Sequence, residues 1–80
     1  MKTMIEELKF SVECKAETDV YQILSIDPTP SNALPAKIIN ALINGKEFHT
    51  IEEIRIYIFE ELKQRGFLVN KDNIQLGSHV

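Results

Sequence analysis

The side chains of this 80-residue chain that could do chemistry include a single cysteine, two histidines and several acidic residues. Glutamates stand in three adjacent pairs, at 6–7, 52–53 and 60–61. Neighbouring residues of a helix point about 100° apart, so the two carboxylates of a pair do not converge on a substrate as an acid and a base would. We therefore interpret the three pairs as solvated surface.

Cys14, Asp27 and His49 could each be considered as a catalytic residue or a metal ligand. A nucleophilic cysteine needs a basic neighbour that stabilises its thiolate. Lys15 would point the other way along a strand, so we expect Cys14 to be a small hydrophobic residue of the core. Asp27 has no second carboxylate or histidine nearby in sequence and is expected to form a turn. His49 has no partner at metal-ligand spacing, which predicts a capping or solvated role.

Catalytic and ligand-binding motifs are absent from the sequence. It contains no glycine-rich phosphate loop, no Cys-x-x-Cys, no His-Glu-x-x-His and no serine in a nucleophile elbow. We therefore predict no catalytic residue, no metal site, no cofactor and no small-molecule ligand. The chain is expected not to be an enzyme.

The composition predicts one domain, residues 1–80, with a hydrophobic core, because 44% of the residues are hydrophobic. The net charge of −3 is spread over residues of both signs, unlike the basic stripe of a nucleic-acid-binding domain. The longest apolar run is far shorter than the roughly 20 residues of a membrane span. We expect no contact with a membrane.

The setting of the protein can be predicted only from general features. One free cysteine, without a glycosylation sequon or a signal peptide, predicts a reducing cytoplasm. The abundance of Ile, Lys, Glu and Asn would suit an AT-rich bacterial or phage genome.

The clearest element is a helix over residues 50–66. Thr50 and Glu53 have the spacing of a capping box, in which each side chain accepts a hydrogen bond from the other residue's backbone N–H. Gly66 can end the helix in a left-handed conformation. Stepping along the helix predicts a core-facing stripe with Phe59 on its flank and Arg55 reaching out to water. The stripe consists of Ile51, Ile54, Ile58 and Leu62.

Ile56 and Tyr57 do not belong to that stripe. One interpretation is that a loop or the N-terminal segment covers them. The other is that they contact a second chain, because exposed apolar clusters often mark interfaces. With Phe59, they are the predicted protein interface of the central helix.

The other elements follow from local patterns. Alternating apolar residues predict a strand over 7–14, while residues 3–9 could begin either as a helix or as a strand. Residues 20–26 predict a second strand, joined to the first as a hairpin, with apolar residues on both faces that place it inside the sheet. A proline-containing connector at 27–32 leads to a helix over 33–44. Residues 67–69 and 74–76 predict a short hairpin, or one strand followed by a turn.

These elements predict an α+β fold of two layers in the approximate order β-β-α-α-β(β), with two helices packed on one face of an antiparallel sheet. We expect a small protein-interaction or regulatory domain. It would bind a partner protein or a second copy of itself, most simply as a homodimer, through Ile56, Tyr57 and Phe59.

Nucleic-acid binding is the alternative. A basic surface could form near the end of the central helix if its basic residues converge in space; they are Lys46, Arg55, Lys63, Arg65 and Lys71. A winged helix-turn-helix is excluded because residues 50–66 are long enough for only one helix. The glutamate pairs of that helix would also repel phosphate, so nucleic acid is disfavoured as a partner.

Overall fold

Five strands and two helices make up the regular structure of residues 3–15, 17–28 and 32–77, the part of the chain that the computed structural model describes. In chain order they are β1 (Thr3–Met4), β2 (Leu8–Lys15), β3 (Val20–Asp27), α1 (Ala33–Leu42), α2 (Ile51–Gln64), β4 (Phe67–Leu68) and β5 (Ile74–Leu76), with a short 3₁₀ helix at Lys71–Asn73. The predicted α+β class and approximate element order are confirmed. Residues 29–31, half of the proline-containing connector, lie outside the described residues.

The main sheet is mixed rather than antiparallel as predicted, with the strand order β3-β2-β5. β2 runs antiparallel to β3, as the predicted hairpin requires, and parallel to β5. β1 and β4 form a separate parallel pair, so residues 3–9 begin as a strand and not as a helix. The predicted C-terminal hairpin is wrong: the 3₁₀ helix carries the chain from β4 to β5, so the two strands join different sheets instead of each other.

β3 lies at the edge of the main sheet, so its predicted interior position is wrong. Ser11 pairs with Ser25 whereas Val12 pairs with Ile23, which leaves Leu24 as an extra residue in a bulge. A bulge shifts the alternation of side chains by one residue. Ile23 and Ile26, three positions apart, therefore both face the core, and the apolar pattern only resembles that of a strand buried on both faces.

The core is formed where α1 packs on β3 and where α2 packs on α1, β4 and β5. Ile54, Ile58 and Leu62 of α2 are fully buried, which confirms three of the four residues of the predicted stripe, while Ile51 is half-buried. Their partners are the buried apolar residues of α1 and the sheet: Leu8, Phe10, Val12, Ile23, Ile26, Ala36 and Ile39. At the start of α1, buried Asn32 donates a hydrogen bond from Nδ2 to the carbonyl of Glu7.

Cys14 is exposed, so the prediction that it belongs to the core is wrong. The alternation of β2 is as expected, because Leu8, Phe10 and Val12 are all buried. Beyond Val12, however, every described residue to Asp19 is exposed. The tip of the β2–β3 hairpin therefore extends past the helical layer, which agrees with the elongated shape of 44 × 22 × 22 Å.

The N-terminus of α2 confirms half of the predicted capping box. The N–H of Glu53 donates to Oγ1 of Thr50 at 3.1 Å. The Glu53 carboxylate instead accepts from the N–H of His49 at 2.7 Å, one residue before the expected donor. Gly66 has a φ of +88° after the last turn, as predicted.

We expect Thr50→Ala to lower the free energy of unfolding by about 1 kcal/mol, because the first turn of α2 loses its side-chain cap. Urea denaturation would measure the change. Thr18→Ala, in the exposed hairpin tip, is the matched control and should leave the stability within about 0.5 kcal/mol of the parent. Equal effects of the two variants would contradict the capping role.

Candidate protein-interaction surface

The solvent side of α2 carries four residues that follow each other in steps of four, three and four. We call Glu52, Ile56, Phe59 and Lys63 the outer ridge. Such steps keep side chains on one face of a helix. Ile56 has 43% of its surface exposed, so the described residues cover it only in part. Glu52 and Lys63 are exposed and Phe59 is half-buried. The ridge has an apolar centre with an acidic end and a basic end.

Phe59 is the aromatic residue of the outer ridge, and two lysines approach its ring. Nζ of Lys63 lies 5.7 Å from the ring centroid and Nζ of Lys71 lies 6.0 Å from it. Both distances are within the range of a cation–π contact. Because the ring is half-buried, part of the Phe59 surface is open to solvent, and Ile56 lies beside it one turn earlier.

Tyr57 is separated from the outer ridge. Its ring lies 5.5 Å from that of Phe48, and Nζ of Lys46 lies 5.3 Å from the Tyr57 centroid. Burial raises the pKa of Tyr57, and the nearby Glu61 carboxylate raises it further, while Arg65 opposes both. Residues 57 and 59 point about 200° apart on a helix. Tyr57 therefore packs on the connector between the helices, on the opposite flank of α2 from Phe59.

The five basic residues predicted as an alternative site do not form one surface. Lys63 and Lys71 meet at Phe59, whereas Lys46 lies on the far flank beside Tyr57. Arg65 is paired with Glu61, with Nη1 2.7 Å from Oε1. The positive charges are thus divided between two flanks of α2.

Arg55 has a structural contact that the sequence did not indicate. It was expected to reach out to water, yet Nε donates to the carbonyl of Ile74 at 3.0 Å, and Nη1 lies 3.7 Å from Oε1 of Glu52. Arg55 therefore ties α2 to β5. The surrounding groove also contains Lys71 and Asp72, so its two basic and two acidic residues leave no excess of positive charge for phosphate.

Asn40 of α1 reaches the edge of β3 that faces away from β2. Its Oδ1 accepts from the N–H of Ile26 at 2.7 Å, and its Nδ2 donates to the carbonyl of the same residue at 3.2 Å. The Asn40 amide thus makes the two hydrogen bonds to Ile26 that a neighbouring strand would otherwise make. Further along the edge, Phe48 exchanges two backbone hydrogen bonds with Tyr21, at 2.7 and 2.8 Å.

A second apolar surface lies at the β1–β4 pair. Met4 and Leu68 are opposite each other and have 67% and 43% of their surfaces exposed. With Val69, Asn70 and Asn73 they border an open groove of about 390 Å³. The groove has no charged lining residue to orient a partner, which distinguishes it from the outer ridge.

The described residues contain no group of three or more His, Cys, Asp or Glu side chains that could hold a metal ion. Within the same residues, no helix has the length and apolar character needed to cross a membrane. Comparison with protein-family models, curated proteins and solved structures finds no match to this chain.

Proposed function

We propose that this chain is a small, non-enzymatic protein-interaction domain that binds protein through the outer ridge of α2. The observation that carries the proposal is the 43% exposure of Ile56 beside half-buried Phe59, on a helix whose core stripe is complete without either residue. An apolar centre between charged ends resembles the arrangement of protein interfaces, where a desolvated core is surrounded by a polar rim. Tyr57 contributes to folding rather than to binding in this proposal.

A second candidate function is nucleic-acid binding at Phe59, supported by the two lysines next to its ring. A base could stack on an aromatic ring while lysines contact phosphate. Glu52, Glu60 and the net charge of −3 oppose it. Binding that falls steeply with added salt would favour this candidate over protein binding.

The proposed setting is the cytoplasm, where an exposed thiol such as that of Cys14 stays reduced. A regulatory role fits a domain that acts only by contact. Its partner can be a second copy of the chain or a different protein.

A photo-crosslinking phenylalanine analogue in place of Glu60 tests the proposed function. Glu60 is exposed and lies next to the outer ridge, so the substitution leaves the ridge intact. Irradiation of the protein in its native cells should give a protein adduct that disappears when Ile56→Asp is added. The same analogue in place of Glu13, on the sheet, is the control and should give no adduct that depends on Ile56. A folded protein without an Ile56-dependent adduct at position 60 would overturn the proposal.

A further inference from the structure

We propose that the partner of the outer ridge is a second copy of this chain, with the two α2 helices packed antiparallel about a two-fold axis. This inference rests on the proposed function and specifies its partner. A two-fold interface is self-complementary: if residue i contacts residue j of the second copy, then j contacts i. The outer ridge satisfies this condition, because its two apolar residues can face each other across the axis and its acidic residue can face its basic residue.

The symmetry follows from the spacing of the outer ridge. With the axis midway between Ile56 and Phe59, Ile56 faces Phe59 of the other copy, and Glu52 faces Lys63. The two central contacts are apolar, and each of the two outer contacts joins opposite charges. A parallel arrangement would instead place Glu52 against Glu52 and Lys63 against Lys63, which is repulsive.

The ends of the helices add to this preference. The acidic end of the ridge, at Glu52, lies at the positive end of the helix dipole, and Lys63 lies in the last turn. Antiparallel packing brings the two dipoles into opposition, which is their favourable orientation. Glu52 and Lys63 are both exposed, and their contacts to Arg55 and Phe59 within the chain are loose enough to exchange, at 3.7 and 5.7 Å.

The expected dimer is weak. One ridge of four side chains covers much less than the roughly 800 Å² per partner of a stable interface. A dissociation constant on the order of 100 µM is therefore expected, and the measurement needs protein at up to millimolar concentration. Sedimentation equilibrium suits this range of affinity. Low salt is needed because added salt screens exposed charges beyond roughly 10 Å and would weaken the outer contacts.

Charge reversal tests the arrangement. Glu52→Lys and Lys63→Glu should each weaken self-association by roughly ten-fold, because the two-fold axis turns two attractive contacts into two repulsive ones. The variant that carries both substitutions should recover the parental affinity, since each outer contact again joins a lysine to a glutamate, in the reversed order. Mixing the two single variants should also give a dimer, in which both outer contacts join opposite charges.

The controls are Glu13→Lys on β2 and Lys37→Glu on α1, both at exposed positions away from the ridge. They produce the same net charges as the ridge variants, −3 + 2 = −1 and −3 − 2 = −5. A mixture of the two controls therefore has the same overall charge repulsion as the mixture of the two ridge variants. Neither control should weaken self-association as the ridge variants do. Circular dichroism verifies that each variant is folded.

Each remaining outcome opposes the inference. A parent chain that stays monomeric at millimolar concentration, while the Glu60 probe still traps a different protein, would remove the homodimer and leave the proposed function intact. A dimer whose affinity ignores the charge reversals would remove the antiparallel arrangement. Absence of both the dimer and the Ile56-dependent adduct would remove the proposed function as well.

Discussion

Ile58→Ala is expected to lower the free energy of unfolding by about 3 kcal/mol, the largest single effect that we predict for a side chain of α2. Ile58 is fully buried in the core, so the truncation both reduces the apolar surface that folding removes from water and leaves a cavity. Domains of this size have a small stability margin. Urea denaturation followed by circular dichroism would measure the shift.

Ile56→Ala is the matched control, since the same residue type is truncated two positions away on the same helix. With Ile56 exposed, the expected change in unfolding free energy is within about 0.5 kcal/mol. Its effect should instead appear in crosslinking and self-association. Equal losses of stability in the two variants would contradict the orientation of α2 described above.

Asn40→Ala is expected to destabilise the protein by about 1.5 kcal/mol. The variant removes two hydrogen bonds to Ile26, each contributing about 1 kcal/mol, and the better helix propensity of alanine offsets about 0.5 kcal/mol. It also leaves the β3 edge open to pairing with other chains. Urea denaturation would give the stability, and light scattering at increasing concentration would report edge-to-edge association.

Lys37→Ala, one turn earlier on the exposed side of α1, is the control for the Asn40 variant and should be close to neutral. An Asn40→Ala protein as stable and as dispersed as this control would show that the amide contributes nothing to the edge. The result would then have to be explained by solvent taking over both hydrogen bonds of Ile26.

The parts of the fold that could be predicted from the sequence depend on neighbours along the chain. The spacing of Ile54, Ile58 and Leu62 determines one face of a helix, and Thr50 and Gly66 mark its ends by local backbone chemistry. Residues Leu8 to Val12 alternate in the same local way. Contacts between distant segments cannot be predicted from such local patterns alone.

The predictions that failed depended on distant contacts. Cys14 would be buried only if a helix reached the hairpin tip, and none of the described helices does. The edge position of β3 could be predicted only by recognising that Leu24 is the extra residue of a bulge. The partners of β4 and β5 are strands near the start of the chain, which no local pattern identifies. In each case the local sequence pattern fits both the predicted and the observed arrangement.

The candidate site was partly predictable for the same reason. The exposure of Ile56 was one of two interpretations of an apolar residue off the core stripe, and its neighbour Phe59 follows from helical spacing. Tyr57 could not be assigned, because its environment depends on where Phe48 lies, and the bridge to Tyr21 fixes that position. Asn40 gave no signal at all, since asparagine is common on solvent-facing helices.

The parallel pairing of β2 with β5 has a consequence for how the protein is made. Leu8 and Ile74 are direct partners although their positions in the chain differ by 74 − 8 = 66. During synthesis the β2–β3 hairpin is therefore made before β5, the third strand of its sheet. Until β5 is made, one edge of β2 has no strand beside it and can pair with other chains. Closing so long a loop is intrinsically slow, so the order of synthesis exposes this chain to aggregation at its most β-rich segment.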